Sequence, residues 1–141
     1  MVQRSPILVI NFKNYLEVSG PRALDLSRSA EKVSADLNAN IALVPPIPSL
    51  AAVCEKVSLP VFSQHFDVAN VGGSTGAIVM EVCKEAGAAG TLLNHSEKRI
   101  GENVIGDLIP KIRNFGMQSV VCANSPGEVS RFAPLAPDFI A

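Results

Sequence analysis

The chain has little sulfur chemistry to offer. Its three cysteines, Cys54, Cys83 and Cys122, sit in apolar stretches, with no C-x-x-C pair and no ligand-like spacing to either of the two histidines. That excludes a disulfide framework and argues against a zinc site, leaving the thiols as small buried hydrophobes. Blocks of charge are also missing: the formal net charge is −1 and no basic run stands out. Electrostatic capture of nucleic acid or of an acidic membrane is therefore not expected, and any anionic ligand must be held locally. The longest apolar runs, such as Ile7 to Ile10, are strand-sized, and the N-terminus lacks a basic region followed by a long apolar stretch. A cytoplasmic protein is expected, which makes the acceptor pattern Asn94-His95-Ser96 irrelevant to glycosylation. No low-complexity segment or linker interrupts the chain, and no G-x-G-x-x-G follows its first apolar run, which weakens a dinucleotide-binding reading.

What is present is an ordinary globular composition: 141 residues, 48% apolar and 18% charged, enough for one core. Apolar runs at Ile7–Ile10, Ile41–Val44, Pro60–Ser63, Thr91–Leu93 and Ser119–Cys122 read as strands covered on both faces. Between them lie helical patterns. Gly20-Pro21 opens one with Ala23, Leu26, Ala30 and Val33 on one face, closed by Asn38-Ala39-Asn40. The cluster Pro45-Pro46-Ile47-Pro48 ends the second strand, and a short helix follows through about Lys56 with Leu50, Val53 and Cys54 inward. A third helix spans about Ala77 to Ala86, with Ile78, Val79, Val82 and Cys83 on its stripe and Gly87 as its cap. Ile105, Leu108, Ile109, Ile112 and Phe115 mark a fourth, in which Pro110 predicts a kink or a late start. Ser125-Pro126-Gly127-Glu128 is a capping-box start, Pro134 stops that helix, and Pro137–Ala141 begins a sixth strand.

Strands alternate with helices every 20 to 30 residues or so, the pattern of a parallel sheet. Two closures fit, an open doubly wound sheet or a (β/α)8 barrel, and both put the site at the C-terminal ends of the strands. By that rule Asn11 and Lys13, Gln64 and Asp67, Asn94 through Arg99, and Asn124 are the polar groups that converge. Lys13 is long enough to neutralise a phosphate or stabilise an oxyanion across a barrel mouth. His95 is suited to act as acid, base or electrophile.

Asn11-Phe12-Lys13 after the first strand, Gln64-His65 and Asp67 with Gly73, Thr75 and Gly76 after the third, and Gly90 to Glu97 with Arg99 after the fourth together resemble triosephosphate isomerase. The Gln-His tip and compact loops are most similar to the archaeal branch. The resemblance runs along nearly the whole chain, and its two best motifs, N-x-K and N-H-S-E-x-R, are specific as a pair.

The resemblance implies a TIM barrel and a cofactor-free proton transfer between two carbons of a triose phosphate, interconverting dihydroxyacetone phosphate and glyceraldehyde 3-phosphate. In the family a glutamate takes the proton while a neutral histidine polarises the carbonyl; His95 matches that histidine. Ser96 to Arg99 would open a helical turn whose dipole disfavours an imidazolium. By the same resemblance Lys13 is the electrostatic lysine and Asn11 helps position substrate. Glu97 pairs with Lys13 or bonds nearby, Arg99 braces the region near the catalytic carboxylate, and Thr75 reaches into a neighbouring subunit, implying a homodimer or homotetramer. Ala77-Ile78 and Pro110 depart from the family pattern.

The implied catalytic glutamate would follow the sixth strand, and no carboxylate here fits its place, since Asp138 precedes that strand. The chain 1–141 is accordingly expected to be a single incomplete barrel domain of five βα units and the start of a sixth strand, a fragment inactive by itself. The alternatives are a short non-catalytic α/β module binding a sugar phosphate or a partner subunit, and a barrel enzyme using Lys13 as a Schiff base.

Overall fold

Short, doubly covered apolar runs make poor free-standing hairpins and good members of a parallel sheet, and that is how the chain uses them. A computed structural model describes residues 6–141; residues 1–5 of the expected domain lie outside it. The strands are β1 (Leu8–Asn11), β2 (Ile41–Val44), β3 (Phe62–Ser63), β4 (Gly90–Leu93), β5 (Gln118–Val121) and β6 (Phe139–Ile140). They alternate with α1 (Pro21–Leu37), α2 (Leu50–Lys56), α3 (Met80–Glu85), α4 (Glu102–Asn114) and α5 (Pro126–Phe132).

Every pairing is parallel and follows chain order. β1 pairs with β2 from Leu8↔Ile41 to Asn11↔Val44, and β3, β4, β5 and β6 pair in succession. A single bridge between Leu43 and Val61 joins the two groups. A doubly wound sheet reverses its strand order at a switch point. No reversal occurs here, so the six strands form one curved wall of the barrel type.

The pleat sends alternate residues to opposite faces. Ile41, Leu43, Leu93 and Val121 face the helices and join Ile105, Leu108, Ile109 and Ile112 of α4 in the larger core. Each fully buried aliphatic side chain contributes about 1.5–3 kcal/mol. Ala42, Val44, Phe62, Leu92 and Val120 form a second, smaller cluster on the concave face. Gly90 exists for that face: a Cβ there would lie 2.4 Å from the Gln118 carbonyl oxygen and 2.9 Å from the Phe62 ring.

Several local expectations need correction. Asn11 is the last residue of β1 rather than part of the loop after it, and β3 is only two residues long. Val33 and Val82 point to solvent, at 46% and 58% exposure, because α1 packs through the small residues Ala23, Ser27 and Ala30, and α3 through Met80 and Cys83. α3 starts at Met80, since Ile78 is tied to Asp67 and Val79 is extended. α4 continues through Pro110, an exposed position where the ring displaces nothing buried. As expected, α5 ends ahead of Pro134, which sits in a 3-10 turn over Ala133–Leu135. Cys54 and Cys122 are half-buried, and only Cys83 is fully buried.

Candidate active site

The C-terminal ends of β1, β3 and β4 surround an open cleft of about 900 Å³. Of the residues expected to converge, Asn11, Lys13, Gln64, His95, Glu97 and Lys98 line it. Asp67, Ser96, Arg99, Asn124 and the exposed loop residue Thr75 do not, although Asp67 and Arg99 hold residues that do. His65 and Tyr15 also line it. Proximity of His65 to Gln64 was the available sequence signal; Tyr15 carried none.

Lys13 occupies the left-handed region, φ 54°, which a lysine adopts only when its surroundings insist. Its N–H donates to Asn11 Oδ1 at 2.9 Å, and its carbonyl accepts from Gln64 Nε2 at 2.8 Å. Its ammonium donates to Glu97 Oε1 at 3.0 Å. That hydrogen bond and the carboxylate charge raise the lysine above its ordinary range, so it stays cationic at neutral pH. Glu97 is the only carboxylate among the described residues that lines the cleft, and it is already engaged with this cation.

His95 follows Asn94, which also adopts a left-handed conformation, φ 60°. Asn94 is 1% exposed and serves as a clasp: its Nδ2 donates to the Cys122 carbonyl at 2.9 Å, and its Oδ1 accepts from Ile100 N–H at 3.1 Å. The clasp turns the chain sharply as it leaves β4. The expected helix start at Ser96–Arg99 is instead one turn, closed by Lys98 N–H to the His95 carbonyl at 2.8 Å, and α4 begins only at Glu102. A helix dipole therefore does not govern the imidazole. A single amide does: Glu97 N–H points at His95 Nδ1 from 3.1 Å. The Glu97 carboxylate also comes within 3.5 Å of that nitrogen, which would favour a proton on it. The two contacts demand opposite protonation states, and the amide, whose hydrogen cannot leave, decides in favour of an unprotonated Nδ1. The remaining ring proton then sits on Nε2.

Arg99 reaches Glu128 at the start of α5 and the Asn94 carbonyl. Glu128 also accepts from Asn124 N–H at 2.8 Å, and that hydrogen bond, with Arg99 beside it, holds its carboxyl below the usual carboxylate range. Ser125 Oγ accepts from Glu128 N–H as the capping box requires, but the glutamate returns to Asn124 rather than to the cap residue. Glu128 is thus a tie between two strand ends that sequence reading missed, seeing in it only a helix cap. Asp138 accepts from Ser119 N–H and Oγ, at the entry side of β5 and β6 and away from the cleft. The thiols are quiescent: burial raises all three, Cys54 to about 11. Among the described residues no group of His, Cys, Asp and Glu could hold a metal ion, and no helix is long and apolar enough to cross a membrane.

Comparison with known proteins matches residues 6–133 to the family model described as triosephosphate isomerase. The chain is similar to the triosephosphate isomerase of Methanobacterium bryantii, with 41% identity over 99% of this chain and 62% of that protein. It is similar also to those of Methanothermobacter thermautotrophicus, 42% identical over 97% and 60%, and Methanocaldococcus jannaschii, 41% over 96% and 62%. The chain spans about 60% of the length of these curated relatives. Among solved structures, triosephosphate isomerase from Bartonella henselae superposes with a TM-score of 0.70 at 18% identity, covering 91% of this chain and 54% of that one. That likeness shows the fold to be part of a TIM barrel, of which the described residues supply six strands.

Proposed function

The chain belongs to the triosephosphate isomerase family, and from that premise we propose that its cleft supplies the electrophilic half of a proton transfer interconverting dihydroxyacetone phosphate and glyceraldehyde 3-phosphate. The observation that carries the reading is the amide of Glu97 on His95 Nδ1. With Nδ1 taken by that amide, the ring carries its proton on Nε2, from which it is donated to a substrate carbonyl as a base removes the proton from the adjacent carbon. Negative charge then builds on that oxygen beside the Lys13 ammonium, where a fixed cation acts without reorganisation. Return of the proton to the neighbouring carbon completes the isomerisation with no cofactor. Asn11 sets the pose of Lys13 and contacts substrate.

The base is a carboxylate that these residues do not provide, because Glu97 is committed to Lys13 and Asp138 lies at the other end of the sheet. The described residues 6–141 contribute six strands to a single barrel domain, and turnover requires a base that they do not carry. Thr75, exposed on the loop after β3, serves a subunit contact in a homodimer or homotetramer, and the protein works in the cytoplasm.

The test is to assay the chain alone and then mixed with the C-terminal part of the Methanobacterium bryantii relative. Isomerisation is expected only in the mixture, and there His95→Gln should lower kcat by about 10²–10⁴-fold, the usual worth of a positioned proton donor. An undiminished rate would remove His95 from the mechanism. Covalent trapping of Lys13 by borohydride in the presence of substrate would instead favour Schiff-base chemistry.

A further inference from the structure

Lys13 is held by a hydrogen bond on each side of its strained backbone, and the two holders are themselves secured in different ways. Asn11 belongs to β1 and is fixed by its register with Val44. Gln64 lies beyond β3, whose pairing with β4 ends at Ser63↔Thr91. Something other than the sheet must keep residues 64–66 still.

The next residue, His65, is 5% exposed and takes no part in the proposed chemistry. Its Nε2 lies 3.3 Å from Asp67 Oδ1. Its carbonyl accepts from Ser63 Oγ at 2.7 Å. Asp67 is in turn anchored twice to Ile78, through Oδ2 accepting from Ile78 N–H at 2.8 Å and through its own N–H to the Ile78 carbonyl at 3.0 Å. Through its carbonyl on Ser63 and its imidazole on Asp67, His65 links the strand end to the loop that Asp67 closes onto Ile78, with Gln64 between Ser63 and this brace.

We propose that His65 and Asp67 are positioning residues for Lys13: their pairing substitutes for the missing ladder beyond β3, holds Gln64 on the Lys13 carbonyl, and so keeps the ammonium beside Glu97. The proposal rests on the reading of Lys13 as the working cation of the cleft, but it concerns where that cation sits and does not require turnover. A neutral ring suffices for the bridge, donating through Nε2. Burial favours that form by lowering the imidazole's basicity, opposed by Asp67 and reinforced by Lys98, the charged groups that act on it.

Because Glu97 raises Lys13, the titration of its side chain reports its place. In the chain labelled with 13C at lysine Cε, Lys13 should titrate above the ordinary range of a lysine side chain. His65→Leu, which keeps apolar bulk but removes the donor, should bring Lys13 down to that range. Gln64→Leu should produce the same loss, and the double variant no more than either alone. His65→Gln, with an amide donor in reach of Asp67, should restore much of the elevation. Should His65→Leu not fold, Asp67→Ala, at a part-exposed side chain, must lower Lys13 in its place. A folded His65→Leu or Asp67→Ala chain in which Lys13 still titrates high would overturn the proposal. Loss of isomerase activity in the mixture with Lys13 unmoved would leave the functional reading intact and overturn only this one.

Discussion

At the scale of single residues, the site depends on two left-handed backbones, at Lys13 and Asn94, and the second has the larger structural share. Asn94→Ala removes two hydrogen bonds, each worth about 1 kcal/mol, from a position 1% exposed. It also puts a Cβ without a compensating side chain into a left-handed conformation, at a further cost of about 1 kcal/mol. The variant should lose about 3 kcal/mol in urea unfolding. Asn94→Gly forfeits the same hydrogen bonds but suits the backbone and should lose about 1 kcal/mol less. Equal losses would show that the backbone conformation is not strained. The His95 variant tested above belongs to this scale too, because one amide hydrogen at 3.1 Å selects the tautomer on which the mechanism depends.

At the scale of elements, α4 and the α1–β3 connection give separate tests. Pro110 lies in the middle of α4, where it withholds an N–H from the Gly106 carbonyl and faces solvent. Proline costs about 3 kcal/mol in a helix interior, partly relieved where the helix adjusts, so Pro110→Ala should stabilise the chain by about 1 kcal/mol or more in denaturant unfolding. A destabilised variant would mean that the proline sets the angle at which α4 meets the sheet. Glu31 of α1 accepts from both Ser58 N–H and Ser58 Oγ at 2.6 Å, and the hydroxyl first, then the amide, holds its carboxyl below the usual value. A carboxylate depressed in the folded state contributes stability above its unfolded value, near 4.3, and that contribution disappears as pH falls through the folded value. Melting temperature between about pH 5 and pH 3 should therefore fall less steeply in Glu31→Gln than in the parent chain. Parallel curves would show that the clamp does not persist in solution.

At the scale of the whole molecule, β1 pairs among the described residues only with β2, and Leu8 at its start is 58% exposed. Open parallel edges seek partners. The chain by itself should associate with rising concentration in sedimentation velocity, and the C-terminal part of the Methanobacterium bryantii relative should suppress that association. A sharply melting monomer at high concentration would contradict this. Much of the architecture was legible in the residues alone. Strand positions and most of α1, α4 and α5 follow from local periodicity, and Asn11, Lys13 and His95 stand out because chemistry concentrates at strand ends. Tertiary structure decided what periodicity cannot encode. The order of strands, hence barrel wall rather than doubly wound sheet, depends on pairings between distant segments such as Leu43 with Val61. The tie from Arg99 to Glu128 spans 29 residues, and the hold of Gln64 on Lys13 spans 51. Even the proton on His95, which residue type leaves open, is assigned by how the turn after β4 folds back, because only that geometry aims the Glu97 amide at Nδ1.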